Sequence, residues 1–92
     1  MSIYDYDRYI SSGESWESTA RSREASKDYL GAKSAYFDAA FDYDRAADAA
    51  KQIGDNSRAS HAESKARSAR SNGSYMSNKY YEACREYCKQ YD

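Results

Sequence analysis

Residues 32–53, AKSAYFDAAFDYDRAADAAKQI, carry the longest uninterrupted helical pattern in the chain. Small and aromatic residues recur there at alternating steps of four and three, at Ala32, Tyr36, Ala39, Tyr43, Ala46, Ala50 and Ile53. Such a heptad line is typical of a helix that packs along another helix. Alanine is the strongest helix former, and proline is absent from the whole sequence. The stretch therefore predicts a long helix whose Ala/Tyr line faces a second helix.

A second heptad line supplies the expected partner. It runs through Ala59, Ala62, Ala66, Ala69, Gly73, Met76, Tyr80, Ala83 and Tyr87. Between the two lines, Gly54 suits the left-handed conformation that follows many helices, and Asp55, Asn56 or Ser57 can cap the next helix. Antiparallel pairing about this turn places Tyr43 opposite Ala69, and a large residue then mostly meets a small one along the line. The same register extends to Tyr36 with Met76 and to Ala25 with Tyr87.

These patterns predict one all-α domain, residues 1–92, built as a long antiparallel helical hairpin with a coiled-coil-like Ala/Tyr seam. The predicted segments are a short N-terminal helix or arm at 1–13, a helix at 14–53, a turn at 54–57 and a helix at 58–91. Asn72-Gly73 leaves two alternatives, a kink in the last helix or a break at 72–74 that creates a third helix.

The N-terminal segment is rich in tyrosine and ends at Ser11-Ser12-Gly13, which reads as a stop signal. A further line of apolar residues includes Cys84 and Cys88 near the C-terminus. In the predicted hairpin that end lies beside residues 14–25. We therefore expect the N-terminal tyrosines to cover it.

The composition limits the size of the core. Only six of the 92 residues are Leu, Ile, Val or Phe, whereas 11 are Tyr. The net charge is only −1, so the sequence does not have the high charge that usually accompanies disorder. Acids exceed bases up to residue 55 and bases exceed acids after it, but neither half is extreme. We expect a thin, helix-on-helix protein that self-association would stabilise.

No catalytic or cofactor pattern is recognisable in the sequence. Cys84 and Cys88 are one helical turn apart, but a zinc site needs more ligands, and the single histidine, His61, is distant. A disulfide between two positions on one helix has poor geometry, so we interpret both cysteines as packing residues, with an intermolecular disulfide as the alternative. We therefore expect no enzyme, no metal and no cofactor.

Aromatic residues outside the seam indicate an interaction surface. Leu30, Phe37 and Phe41 lie nearly opposite the Ala/Tyr line at 100° per residue, and the hairpin does not cover them. Tyrosine and phenylalanine are enriched where proteins bind each other. The predicted partner-binding residues are Leu30, Phe37, Asp38, Phe41, Asp42, Tyr4, Tyr6 and Tyr9.

A basic stretch at residues 58–70 supports a second hypothesis. Its cations are Arg58, Lys65, Arg67 and Arg70, with serines between them, and Arg and Ser both bind phosphates. However, Glu63 interrupts the stretch, and no aromatic residue is present between 58 and 71 to stack on bases. Nucleic-acid binding is therefore the alternative, with pairing to the acidic first half as the simpler interpretation.

The functional expectation is a non-enzymatic protein that binds and blocks or bridges a larger partner, such as a host enzyme or a nucleoprotein complex, and that can dimerise. Many small helical proteins of this type are inhibitors or adaptors from phages or mobile elements, anti-CRISPR proteins among them. No signal peptide or membrane span is recognisable, which predicts a cytoplasmic protein, in the host if phage-encoded, without membrane contact. In size the hairpin resembles the small secreted helical-hairpin proteins, although their Trp-x-Gly turn is replaced here by Ile53-Gly54-Asp55.

Overall fold

The computed structural model describes residues 2–90 and the backbone of residue 91. They form three helices, α1 (Ile3–Ala25), α2 (Tyr29–Gln52) and α3 (Asn56–Tyr91), in a rod of 58 × 17 × 13 Å. Helix α2 is central, with α1 packed along one side and α3 along another, while α1 and α3 barely touch each other. The predicted all-α fold, with the α2/α3 pair as an antiparallel hairpin, is confirmed.

The predicted helix at 14–53 is wrong, because the chain turns at Ser26, Lys27 and Asp28. Lys27 adopts a left-handed conformation (φ 64°) and its N–H bonds the Glu24 carbonyl, while the Asp28 N–H bonds the Arg23 carbonyl, both at 2.9 Å. This pair of hydrogen bonds is a Schellman motif, which ends a helix. The Asp28 side chain then caps α2 by accepting the Gly31 N–H at 3.0 Å.

The N-terminal prediction, a short segment at 1–13 with a stop at Gly13, is also wrong. Helix α1 begins at Ile3, where the Ser2 N–H donates to Asp5 Oδ2 at 2.9 Å, and it continues through Gly13 without a break. Because α1 runs antiparallel to α2, its first residues lie beside the α2–α3 turn. Tyr6 is buried there with Ala50 and Ala59. The N-terminal tyrosines are therefore at the opposite end of the rod from Cys84 and Cys88, and they do not cover it.

The α2–α3 turn consists of Ile53, Gly54 and Asp55, one residue earlier than the predicted 54–57, and α3 already begins at Asn56. Gly54 has a positive φ of 75°, as expected for the residue after a helix. Helix α3 is continuous through Gly73, so the predicted single helix is confirmed and the alternative, a break at 72–74, does not occur.

The register of α2 against α3 agrees with the predicted one. Tyr36 and Met76 lie in one buried cluster, and Tyr43 lies with Ala66 and Ala69 in another. Lys51 reaches across to Glu63 with an Nζ–Oε1 distance of 2.7 Å. The last pair of the predicted register is not formed. Ala25 and Tyr87 are both exposed, because α2 begins at Tyr29 and Ala25 belongs to α1.

Alanines form most of the core, so the helices approach each other closely. Tyr43 and Met76 are the largest side chains that are fully buried. Tyr43 also explains why α1 has a glycine at position 13, because its ring lies against the Gly13 backbone. This thin core leaves one side of α2 open to solvent.

Candidate functional site

Helix α2 has a face that α1 and α3 leave largely exposed to solvent. Leu30, Phe37 and Phe41 lie on this face and are 49%, 38% and 56% exposed. They are spaced seven and four residues apart, which aligns them along one side of the helix. The structure therefore brings these three predicted residues together on one surface.

Packing against α3 explains part of the position of the Phe37 side chain, and the sequence did not predict this contact. Its ring lies over Gly73 of α3, so that a β-carbon at Gly73 would come within 2.9 Å of the ring. The glycine thus provides a shallow seat for the inner edge of Phe37, and the outer part of the ring remains exposed. Phe41, one helical turn further, is the more accessible of the two.

Arg45 is central to the same surface and was missed at the sequence level. Its guanidinium carbon lies 4.4 Å from the centroid of the Phe41 ring and 5.7 Å from that of Tyr9 on α1. Arg8 lies 5.1 Å from the same Tyr9 ring. Cation–π contacts of this kind attract a guanidinium group to the face of an aromatic ring, by about 0.5–1 kcal/mol at exposed sites. We call Leu30, Phe37, Phe41, Arg45 and Tyr9 the α2 aromatic face.

Carboxylates border this face. Asp38 is exposed one residue after Phe37. Asp42 is half-buried at the α1 side, where its Oδ2 accepts a hydrogen bond from Ser12 Oγ at 2.6 Å. The surface therefore has an aromatic centre and a polar rim, the usual anatomy of a protein-binding patch.

The three N-terminal tyrosines have different environments. Tyr4 is 80% exposed and Tyr9 is half-buried beside Arg45, so both are accessible. Tyr6 is only 6% exposed, and burial raises its pKa above the ordinary value because the phenolate is disfavoured. Tyr6 is a core residue, and its predicted contact with a partner is wrong.

Two further tyrosine hydroxyls lie inside the helix packing. Tyr36 Oη donates to Glu24 Oε1 at 3.2 Å, and burial together with this carboxylate raises the pKa of Tyr36. The Tyr43 hydroxyl is buried and has no hydrogen-bond partner among the described residues. Burial, followed by the Glu17 carboxylate, raises the pKa of Tyr43 far above its ordinary value. Both hydroxyl groups therefore lie in the packing between the helices.

The basic residues of α3 are largely engaged within the protein. Arg58 Nη1 lies 2.6 Å from Asp55 Oδ2, and Arg70 pairs with Asp44 of α2. Lys65 lies 5.2 Å from the centroid of the Tyr43 ring. Arg67, the fourth predicted nucleic-acid contact, lies one turn after Glu63, and its charge adds to that of Lys51 in lowering the pKa of Glu63. Contacts within the protein, to Asp55 in the turn and to Tyr43 and Asp44 of α2, thus engage three of the four cations.

Within residues 2–90, no group of three or more His, Cys, Asp or Glu side chains is placed to hold a metal ion. Cys84 and Cys88 are free thiols, half-buried and exposed respectively. None of the described helices has both the length and the apolarity required to cross a membrane.

Comparisons with models of protein families, with curated proteins and with solved structures find no match to this chain. The functional interpretation therefore depends on the exposure and chemistry of the α2 aromatic face. A sequence signal for Arg45 did exist, since it lies four residues after Phe41 on the same helical face. The placement of Tyr9 beside it depends on the fold of α1.

Proposed function

We propose that this chain is a non-enzymatic interaction protein that binds a larger protein through the α2 aromatic face. The observation that supports it most strongly is the exposure of Phe41, 56%, together with its cation–π contact with Arg45. Aromatic and arginine side chains contribute a large share of the binding energy at protein interfaces. A side chain already held in place loses less conformational entropy on binding.

The carboxylates of the rim favour a partner surface with basic groups around an apolar pocket. Asp38 and Asp42 flank Phe41 on the same helix, and charges at the rim of an interface mainly steer association and fix its orientation. Because the aromatic centre spans from Leu30 to Arg45, about 22 Å at 1.5 Å per residue, it fits a groove or an elongated patch on the partner.

The experiment is affinity capture from the native cell, or from its host, with three forms of the full chain. We expect the wild type to capture a specific protein and the double variant Phe37→Ala/Phe41→Ala to lose it. The matched control is Tyr75→Ala on α3, an aromatic residue that is 52% exposed outside the α2 aromatic face. This variant should capture the partner as well as the wild type does.

Circular dichroism of all three forms separates loss of the surface from loss of the fold. If all three forms are equally helical and only the double variant loses capture, the result supports the α2 aromatic face as the binding site. Capture that survives the double variant refutes this site.

We extend the proposal to inhibitors and adaptors that act in the cytoplasm, including phage or mobile-element proteins directed against host defence. The identity of a captured host enzyme or nucleoprotein complex is the test of this finer assignment. Nucleic-acid binding by α3 is less favoured, since Arg58 and Arg70 already pair with carboxylates. A gel shift that weakens with salt and with Arg67→Glu would support that alternative instead.

A further inference from the structure

Cys84 and Cys88 are the two cysteines of the chain, and both are free thiols on α3. They are four residues apart, so they lie one turn from each other and are rotated by only about 40° around the helix. Cys88 is exposed and Cys84 is half-buried. Both side chains line one open groove, together with Tyr81, Arg85 and Lys89. This pair of adjacent thiols is therefore accessible and lies outside the α2 aromatic face.

The spacing of the pair is too wide for an internal disulfide. Side chains at positions i and i+4 of a helix have their β-carbons about 5–6 Å apart, whereas a disulfide requires about 3.5–4.5 Å. The same spacing suits two sulfurs that share one metal ion. Metal–thiolate bonds are about 2.3 Å long, so two bonds in line hold their sulfurs about 4.6 Å apart. Two sulfurs that lean slightly towards each other reach this separation without a change in the helix.

The number of ligands decides which metal ion fits. Among residues 2–90, no further His, Cys, Asp or Glu side chain joins the pair to make a group of three. Zinc takes four ligands in structural sites, and Mg²⁺ and Ca²⁺ take oxygen ligands. Soft thiolates instead select Cu(I), which forms linear complexes with two of them. From the groove, the spacing and the ligand number, we infer that Cys84 and Cys88 form a two-coordinate Cu(I) site within one helix.

The charges that line the groove suit this ion. Binding replaces two S–H bonds with two S–Cu bonds and releases two protons to solvent, so one Cu(I) with two thiolates has one net negative charge. Arg85 lines the same groove, one residue after Cys84 and three before Cys88. Lys89 also lines it, but its Nζ lies 3.5 Å from Glu86 Oε1, which engages part of its charge. Arg85 is therefore the main cation that stabilises the anionic complex.

The Cu(I) site and the α2 aromatic face are independent of each other. The two sites share no residue, since the thiols lie near the C-terminal end of α3 and the aromatic face is on α1 and α2. A metal ion that joins two successive turns holds them in the helical conformation, as a favourable i,i+4 side-chain pair does. Bound Cu(I) should therefore slow amide hydrogen exchange in the last turns of α3.

The test is competition for Cu(I) between the full chain and the coloured chelator bathocuproine disulfonate, without oxygen and with ascorbate as the reductant. We expect the chain to take one Cu(I) from the chelator, and native mass spectrometry should show a single 10.5 kDa chain with one copper ion. An outer partner of a metal ligand already contributes about 10–100-fold to metal affinity, so Cys84→Ser and Cys88→Ser should each cost at least about 100-fold.

The matched control is the double variant Cys88→Ser/Gln90→Cys. It keeps two thiols and both cations, but the second thiol is now six residues from Cys84 and about 120° away around the helix. We expect it to bind Cu(I) as weakly as Cys88→Ser does. Arg85→Gln keeps both thiols in place and should weaken binding by only about two- to fivefold, as is usual for an exposed ion pair.

Three results would overturn the inference: no transfer of Cu(I) from the chelator, undiminished binding by either serine variant, or undiminished binding by the double variant. A fourth is one copper ion bound to two chains, since the metal would then join two molecules and not two turns of one helix. An equal amount of Zn²⁺ should not displace Cu(I), and displacement would contradict a site with two ligands. Circular dichroism should show equal helicity in all variants, because these positions lie outside the buried core.

Discussion

The ring of Tyr43 lies directly against the backbone of Gly13. A β-carbon at position 13 would come within 2.5 Å of Tyr43 Cε1 and within 2.8 Å of Cδ1. Tyr43 has no exposed surface, so the neighbouring helices fix its ring. Glycine in the middle of α1 is therefore a packing requirement, and it allows α1 and α2 to approach closely around the largest buried aromatic side chain.

Gly13→Ala should destabilise the protein, although alanine is the better helix former. The gain in helix propensity is about 1 kcal/mol. Forcing a methyl group into a packed position typically costs about 1–3 kcal/mol, and here the fixed ring places the cost at the upper end. We expect a net loss of about 1–2 kcal/mol in the free energy of unfolding, measured by urea denaturation.

Gly73→Ala is the matched control for this clash. Its β-carbon would meet the Phe37 ring at 2.9 Å, but Phe37 is 38% exposed and can move outward. We therefore expect a smaller loss than for Gly13→Ala, or none. If the free energy of unfolding falls equally in both variants, the rigid packing of Tyr43 does not make Gly13 more sensitive than Gly73.

Gly13 also shows why the continuity of α1 could not be predicted from the sequence. Glycine after two serines is a local signal for a break, and only the position of Tyr43 on another helix shows why it belongs inside α1. The turn at residues 26–28 was missed for the opposite reason. It contains neither Gly nor Pro, and the heptad line passes through Ala25 and Tyr29 in phase, so the only local signal was Asp28, a residue type that commonly caps helices.

The α2/α3 pairing was predictable, because a heptad line records which side of a helix is buried even when the core is mostly alanine. The same line predicts that Leu30, Phe37 and Phe41 lie on the opposite, exposed side of α2, and they are exposed in the structure. The contacts of Tyr9 with Arg45 and of Gly73 with Phe37 were not predictable in detail. They depend on how α1 is placed and on which side chain fills the space above a glycine.

Lys27→Gly should stabilise the protein. Lys27 has a φ of 64°, a conformation that costs a residue with a β-carbon roughly 1 kcal/mol or more. Glycine removes this strain, and its larger entropy in the unfolded chain offsets part of the gain. We expect about 0.5–1 kcal/mol of additional stability, visible as a higher melting temperature.

Lys27→Ala separates the backbone effect from the loss of the lysine charge. Alanine retains the β-carbon and therefore the strain, so this variant should melt close to the wild type. Equal stabilisation by alanine and glycine would show that the lysine side chain, and not its backbone conformation, limits the stability of this turn.

Tyr43→Phe and Tyr36→Phe should have opposite effects. The Tyr43 hydroxyl is buried without a partner among the described residues, so its removal relieves a desolvation cost, and we expect unchanged or slightly higher stability. The Tyr36 hydroxyl donates to Glu24, so its removal should cost about 0.5–1.5 kcal/mol. Urea denaturation of both variants measures the difference. A clear loss in Tyr43→Phe would mean that its hydroxyl does find a partner in solution.

The start of α3 should make stability depend on pH through Asp55. Its Oδ1 accepts the Arg58 N–H at 3.1 Å, and Oδ2 lies 2.6 Å from the Arg58 guanidinium. The backbone hydrogen bond first, and the guanidinium second, hold the pKa of Asp55 below its ordinary value of 3.8. Because the folded pKa is lower than the unfolded one, the stabilisation is complete above the unfolded pKa and is lost as the pH falls through the folded pKa.

Asp55→Ala should therefore lower the melting temperature at pH 7, and its difference from the wild type should shrink as the pH falls below about 4. Asp55→Asn keeps an acceptor for the Arg58 N–H but has no charge, so it should be intermediate at pH 7 and insensitive to protonation at this site. The measurement is thermal unfolding of the three proteins between about pH 2 and pH 7. A wild-type advantage over Asp55→Ala that stays constant through this range would show that the Asp55 carboxylate charge does not contribute, because the part of the advantage that depends on the charge is lost once the carboxyl group is protonated in both the folded and the unfolded chain.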